Sequence, residues 1–209
     1  MPEATVYLCD DLPPATPGLI DDLIRRLPSD RAARCRAYQS RRDQVSCAVS
    51  YLLLASALRE RRGLTEVGPF AYGPHGKPAL ADHPGIHFNL SHCPTGIVVV
   101  VADQPIGADI EAIRPVDWDV ARRVCSGREW YELTCAANPA ATFARIWTDR
   151  ESFVKCRGGS LAEALRCDLP EQGFHRLATP AYHMSVFTDQ PDPTWTLVRT
   201  RGLSAQRGS

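Results

Sequence analysis

Four short segments carry the residue types that handle phosphate and hard metal ions. In Ile146-Trp-Thr-Asp-Arg-Glu-Ser-Phe-Val-Lys-Cys-Arg-Gly-Gly159, Glu151 and Lys155 stand four apart, so a helix puts them on one face, with Trp147 a turn earlier. In Pro105-Ile-Gly-Ala-Asp-Ile-Glu111, Asp109 and Glu111 are two apart, and an extended backbone points both to one side. Three carboxylates from two segments suit a hard divalent cation such as Mg²⁺, which takes few direct protein ligands and completes its shell with phosphate oxygens. Lys77 in a Gly-Pro turn, and Asn89, Ser91 and His92 ahead of Cys93-Pro94, add donors and charge for the remaining phosphate oxygens. Together these residues describe a pyrophosphate-bearing substrate held by a metal and set for phosphoryl-type transfer. Each part has a plainer reading when taken alone. Glu151 and Lys155 make a surface pair worth roughly 0.2–0.5 kcal/mol. Asp109 and Glu111 guard a sheet edge, His92 supports a turn, and Lys77 is exposed on one.

The elements that must position these residues follow from periodicity and punctuation. Ala140 to Cys156 has few helix breakers, is stopped by Gly158-Gly159, and spaces Phe143, Ile146, Phe153 and Val154 for a core; Trp147 is expected there too. Asp43 to Arg62 predicts a second long helix, ended by Gly63, with shorter ones over Leu19–Leu27 and around Val116–Cys125. Ser126 and Glu129 have capping-box spacing. Thr5–Cys9, Ile86–His92 and Ile106–Ile113 read as strands, and the β-branched run Gly96–Ala102 as a buried central one. Phe174–Leu177, Tyr182–Phe187 and Trp195–Val198 read as three antiparallel strands, followed by a frayed tail over Gly202–Ser209. Long helices among hairpin-like strands predict an α+β fold, with a turn-rich seam near Asp103-Gln-Pro105 that puts the acidic strand and the histidine turn on opposite sides of a cleft.

Composition limits the field further. Lys plus Arg and Asp plus Glu balance at 24 each in 209 residues, which argues against bulk nucleic-acid binding. From Ile20 to Gly63, however, ten arginines face five acids, a basic field suited to a phosphorylated or acidic partner. The eight cysteines show no Cys-x-x-Cys spacing and no secretion signal precedes them, so a reducing cytosol is expected. No apolar run is long enough for a membrane span. His75, His83 and His87 have no spacing partner for zinc.

Gly76-Lys-Pro78, Phe88-Asn-Leu-Ser-His92, Gly107-Ala-Asp-Ile-Glu111 and Trp147-Thr-Asp-Arg-Glu-Ser-Phe-Val-Lys155, in that order, resemble the 4′-phosphopantetheinyl transferases. The likeness is to the long, pseudo-dimeric type that activates peptide synthetases, such as surfactin synthetase, and polyketide synthetases. It implies two similar α+β halves, residues 1–103 on the coenzyme side and 104–209 with the metal-binding acids and catalytic helix, and an active site in the cleft between them. It implies a cytoplasmic, Mg²⁺-dependent monomer of secondary metabolite biosynthesis. Such an enzyme moves the phosphopantetheine arm of coenzyme A to a serine of an apo acyl, peptidyl or aryl carrier protein and releases adenosine 3′,5′-bisphosphate. By this resemblance Asp109, Glu111 and Glu151 bind the metal, and Glu151 and Lys155 are catalytic. Lys155, Lys77, Ser91, His92, Arg31, Arg34, Arg41 and Arg42 contact the coenzyme, while Asn89 braces the turn that presents His92.

Three departures from the family pattern carry expectations. Arg150 stands where lysine is common, exchanging a flexible point charge for a planar fork. No arginine lies around Val45-Ser46, where the family grips the 3′-phosphate, so weak 3′-phosphate recognition is expected. Cys93 replaces a frequent serine and is expected to be neutral. Arg150 and the missing arginine motivate one alternative, a carrier-binding module impaired in catalysis. A Mg²⁺-dependent nucleotide pyrophosphate hydrolase is another. The arginines at 25 and 26 are expected to help dock an acidic carrier.

Overall fold

In the computed structural model, which describes residues 3–165, 168–190 and 193–200, strand β1 (Glu3–Cys9) starts the chain and is buried on both faces. The expected tail, 202–209, and Cys167 lie outside the described residues. Helices α1 (Pro17–Arg25), α2 (Ser29–Arg36) and α3 (Arg41–Arg62) follow. Thr16 caps α1 by accepting from Leu19 N, and Ser40 caps α3 through Asp43 N, which starts α3 at Arg41, two residues before the expected Asp43. Gly63 ends α3 at φ 68°, a backbone that only glycine adopts without strain. Strands β2 (Phe70–Tyr72) and β3 (Pro78–Leu80) make a small hairpin, and β4 (His87–Cys93) and β5 (Gly96–Ala102) a longer one.

After the turn at Asp103–Pro105 the chain forms β6 (Gly107–Ala112), α4 (Trp118–Val124), α5 (Gly127–Thr134) and α6 (Pro139–Arg157). Asn138 caps α6 through Ala141 N, Pro139 opens its first turn, and Gly158 closes it at φ 67°. The capping box of α5 is formed as expected, with both the Ser126 and Glu129 bonds made. The short α7 (Leu161–Ala164) precedes β7 (Phe174–Ala178), β8 (Tyr182–Phe187) and β9 (Thr194–Arg199).

Two sheets organise these elements, in orders β4-β5-β1-β9 and β6-β8-β7. Strand β1 pairs antiparallel with β5 as β6 does with β8, and each sheet then adds the first strand of its hairpin, β4 or β7. The sheets pack face to face. Ala4, Val6 and Leu8 of β1 and Val98, Val100 and Ala102 of β5 meet Ala108 and Ile110 of β6 and Met184 and Val186 of β8. The opposite face of the first sheet, with Tyr7, Ile97, Val99 and Val101, packs under α1 to α3. Helix α6 lies on the outer face of the second sheet, against β6 and β8. The mixed α+β architecture is the one expected.

Two expectations change here. Strand β9 is not an antiparallel partner of β7 and β8: it crosses to the first sheet and runs parallel to β1, Leu197 beside Val6. A boundary at residue 103 therefore does not hold for β9, because the open edge of β1 needs ladder partners and β9 supplies them. Trp147 is half-buried rather than core, and its ring packs 6.1 Å from that of Phe143 beside an open hollow.

Candidate active site

The period-2 rule decides which residues of β6 face α6. With Ala108 and Ile110 turned into the space between the sheets, Asp109 and Glu111 must point the other way. Gly107 makes the approach possible: a Cβ there would sit 1.9 Å from the carbonyl oxygen of Ser152 and 2.3 Å from the amide nitrogen of Cys156. Strand β6 and helix α6 thus touch backbone to backbone at Lys155, whose carbonyl carbon would lie 2.9 Å from that Cβ.

Around that contact three motifs meet. Lys155 Nζ donates to Asp109 Oδ1 at 2.6 Å and to Ser91 Oγ at 3.3 Å, and lies 3.7 Å from Glu151 Oε2. Ser91 donates to the same Asp109 oxygen at 2.7 Å. Asp109 is only 3% exposed, so the reading of a solvated edge guard fails. Asn89 does not brace the turn presenting His92. It lies within β4, and its Oδ1 accepts from Ala108 N at 3.0 Å, anchoring β6 beside Asp109.

Burial and like charge set the titration of the cluster. Glu111 is pushed above the usual carboxylate range by burial and then by Asp109, and Glu151 is pushed up by burial, with Asp109 adding to it against the pull of Lys155. Burial alone would depress Lys155, but Asp109, Glu151 and Glu111 outweigh it and hold the ammonium above its ordinary value. Among the described residues no group of three His, Cys, Asp or Glu side chains is arranged to hold a metal ion. The cation between Asp109 and Glu151 is the Lys155 ammonium. The donor set nevertheless fits a hard cation, because Asp109 Oδ2 is buried without a hydrogen-bond partner and all three groups offer carboxylate oxygens.

The remaining expected contacts divide. Lys77 Nζ is committed to two carbonyls, Cys156 O at 2.8 Å and Ile106 O at 3.1 Å, so it ties the two sides of the seam; burial depresses its pKa. His92 shares a cavity of about 160 Å³ with Arg31, Arg34, Tyr38 and Tyr51. Burial lowers the His92 pKa despite Asp43, so in the free protein it offers hydrogen bonds rather than charge. Arg31 is fixed in place: it donates to Tyr72 Oη at 3.0 Å, pairs with Asp30 at 2.9 Å, and lies 4.4 Å over the Phe70 ring. Arg42 donates to Pro94 O in the hairpin that follows His92, and Arg41 is exposed at the start of α3. Arg25 and Arg26 do not reach this cavity. With Arg59 they line an adjoining open groove of about 840 Å³, which shares Arg31 and Tyr51 with the cavity.

Several supporting residues were not recognised from sequence. Arg150 is 2% exposed and reaches Glu129 Oε2 at 2.5 Å, so the glutamate that completes the α5 capping box also anchors α6. Asp149 accepts from Arg176 Nε at 2.9 and 3.1 Å, from Arg145 Nη1 at 3.2 Å and from Ser185 Oγ at 2.8 Å. Thr148 Oγ1 and His183 Nδ1 are 2.8 Å apart. Ser185 and His183 stand opposite Asp109 and Glu111 in the β6–β8 ladder, hence on the same face. Polar residues at alternate positions of Tyr182–Phe187 were the available signal for a strand with a polar face.

A carboxylate–lysine cluster beside an arginine-walled cavity on an α+β frame defines a class, and the comparison with known families agrees: residues 105–206 match the model of the 4′-phosphopantetheinyl transferase superfamily. Among individual proteins, it is 28% identical over 180 residues to a 4′-phosphopantetheinyl transferase of Bacillus subtilis, covering 83% of this chain and 80% of that one. It is 26% identical over 176 residues to 4′-phosphopantetheinyl transferase Sfp of Bacillus subtilis strain 168, covering 80% and 79%. To 4′-phosphopantetheinyl transferase AcpT of Salmonella typhi it is 39% identical over 121 residues, covering 55% and 62%.

Proposed function

We propose that this transferase moves the 4′-phosphopantetheine arm of coenzyme A onto a serine hydroxyl of an apo acyl, peptidyl or aryl carrier protein, releasing adenosine 3′,5′-bisphosphate. The observation that carries the reading is the contact of Lys155, from the helix motif, with Asp109 and Ser91, from two separate strand motifs. The repeated connectivity of the two sheets supports a pseudo-dimer of two similar halves, with the active site in a cleft between β4, β6 and α6. A cytoplasmic monomer is the simplest form of such a protein; among the described residues no helix is long and apolar enough to cross a membrane.

Each side chain has a physical task. Arg31 and Arg34 present charge to the phosphates of the coenzyme's adenosine end, with Arg41 and Arg42 at the start of α3. His92 and Ser91 give hydrogen bonds to its phosphate oxygens, and Lys77 holds the seam on which they stand. Asp109, Glu111 and Glu151 would hold Mg²⁺, which when bound offsets charge on the transferring phosphorus and the leaving oxygen. Lys155, kept protonated by its carboxylates, is a fixed cation at the pyrophosphate rather than a ready proton donor. Glu151 takes the proton of the carrier serine, directly or through a water, as the serine Oγ–phosphorus bond forms and the bond to the bisphosphate breaks.

Mass spectrometry of an apo carrier incubated with the protein, coenzyme A and Mg²⁺ tests this. The expected result is a gain of one phosphopantetheine arm. A panel of carriers left at the apo mass, or full transfer by a variant with Asp109, Glu111 and Glu151 all changed to alanine, overturns it.

A further inference from the structure

Cysteine thiols in this protein fall into distinct settings. Those of Cys9, Cys93, Cys125 and Cys156 are pushed up by burial, which makes them inert. Cys35, at the end of α2, and Cys47, in the second turn of α3, are different. Their sulfurs are 3.0 Å apart, and both form part of the cavity wall that Arg31 and Arg34 also line. The Cys35 thiol donates to the Cys47 sulfur, and that bond, with Arg34 and Arg31 nearby, lowers the Cys47 thiol against the effect of burial. Cys35 is raised by the same bond and by burial. One sulfur is therefore set as the nucleophile and its neighbour as the protonated partner, inside an electropositive wall.

We propose that Cys35 and Cys47 are a redox-responsive dithiol site, which hydrogen peroxide closes to an intramolecular disulfide between α2 and α3. The Cys47 thiolate attacks one peroxide oxygen and the O–O bond breaks, leaving a sulfenic acid and a hydroxide that takes up a proton as water. The Cys35 sulfur then attacks the Cys47 sulfur. The S–O bond breaks, and the departing hydroxide leaves as a second water with the Cys35 proton. Each sulfur gives up one electron, and the peroxide takes both. Closing the bond needs a sulfur movement of only about 1 Å, because a disulfide spans about 2.05 Å.

Treating the full folded chain with graded hydrogen peroxide, alkylating the remaining thiols and mapping the digest tests the site. The expected product is a Cys35–Cys47 cross-linked peptide pair, about 2 Da below the two reduced peptides and reopened by dithiothreitol. It should form roughly tenfold faster than oxidation of an ordinary exposed thiol, since the thiolate is the reacting species. In Cys35→Ser the sulfenic acid persists and dimedone labels Cys47, whereas in Cys47→Ser Cys35 stays unlabelled. A pair still fully alkylated at a dose that oxidises the exposed Cys135 overturns the proposal, as does dimedone labelling at Cys35 in place of Cys47.

Discussion

Lys155 is the residue on which the cluster balances. Asp109, Glu111 and Glu151 bring three carboxyl groups into a partly buried space, and Glu111 and Glu151 are already pushed toward protonation there. Removing the ammonium leaves Asp109 Oδ1 with Ser91 as its hydrogen-bonding partner and takes the fixed cation from the pyrophosphate site. In a carrier-loading assay, Lys155→Ala should therefore lower kcat by about 10²–10³-fold, the range for losing one preorganised electrostatic donor. A kcat within a factor of about two of the parent removes Lys155 from the chemistry. Arg150 acts differently. Its guanidinium is buried against Glu129, which gives the arginine a fixed structural partner and counts against reading it as a mark of decayed catalysis.

At the scale of elements, the seating of α6 on the second sheet determines where Glu151 and Lys155 stand. Part of that interface is polar, with Ser152 and Ser185 3.2 Å apart and Asp149 held by Arg176 and Ser185. Gly107 gives the closest approach, so Gly107→Ala should force strand and helix apart. The expected cost is roughly 1–3 kcal/mol, read as a lower urea midpoint, together with a loss of kcat. An unchanged midpoint contradicts the backbone contact. His183, buried in this interface, has its pKa lowered to about 4, mainly by desolvation. The unfolded chain takes up this proton below about 6.5, whereas the folded protein resists until about 4. Stability from this group is therefore complete above 6.5 and is lost as pH falls toward 4, by roughly 3 kcal/mol. Urea denaturation across that window should show the decline, and His183→Asn should flatten it.

At the scale of the molecule, the arginines expected at the coenzyme (Arg31, Arg34, Arg41 and Arg42) come from the first half, and the cluster acids Asp109, Glu111 and Glu151 from the second. Val45 and Ser46 are buried under 2% exposure, so the position where an arginine was missed faces the core rather than the coenzyme cavity. On the proposed function the 3′-phosphate falls to Arg31 and Arg34, and calorimetry should find coenzyme A and dephospho-coenzyme A within about tenfold in affinity, about 1.4 kcal/mol. A preference for coenzyme A above about a hundredfold rejects weak 3′-phosphate recognition. The groove of Arg25, Arg26 and Arg59 adjoins the His92 cavity through Arg31 and Tyr51, and its arginines suit an acidic carrier surface. Reversing Arg25 and Arg26 to glutamate should raise the carrier KM while sparing the coenzyme KM. An unchanged carrier KM excludes this groove from docking.

The sequence alone determined the long helices with their glycine stops, the Ser126–Glu129 capping box, the central strand Gly96–Ala102, and the pairing of Glu151 with Lys155 on one helical face. These depend on backbone geometry within a few residues, where periodicity and steric rules act directly. It also singled out Asp109 and Ser91 as site residues, but not their mutual bond. Tertiary structure alone decided that β9 would run beside β1, that Lys77 would be spent on Cys156 O and Ile106 O, that Asn89 would anchor β6, and that Arg150 would be buried against Glu129. Those outcomes depend on which faces from distant segments come together and on how little water remains between them, and no local pattern encodes either.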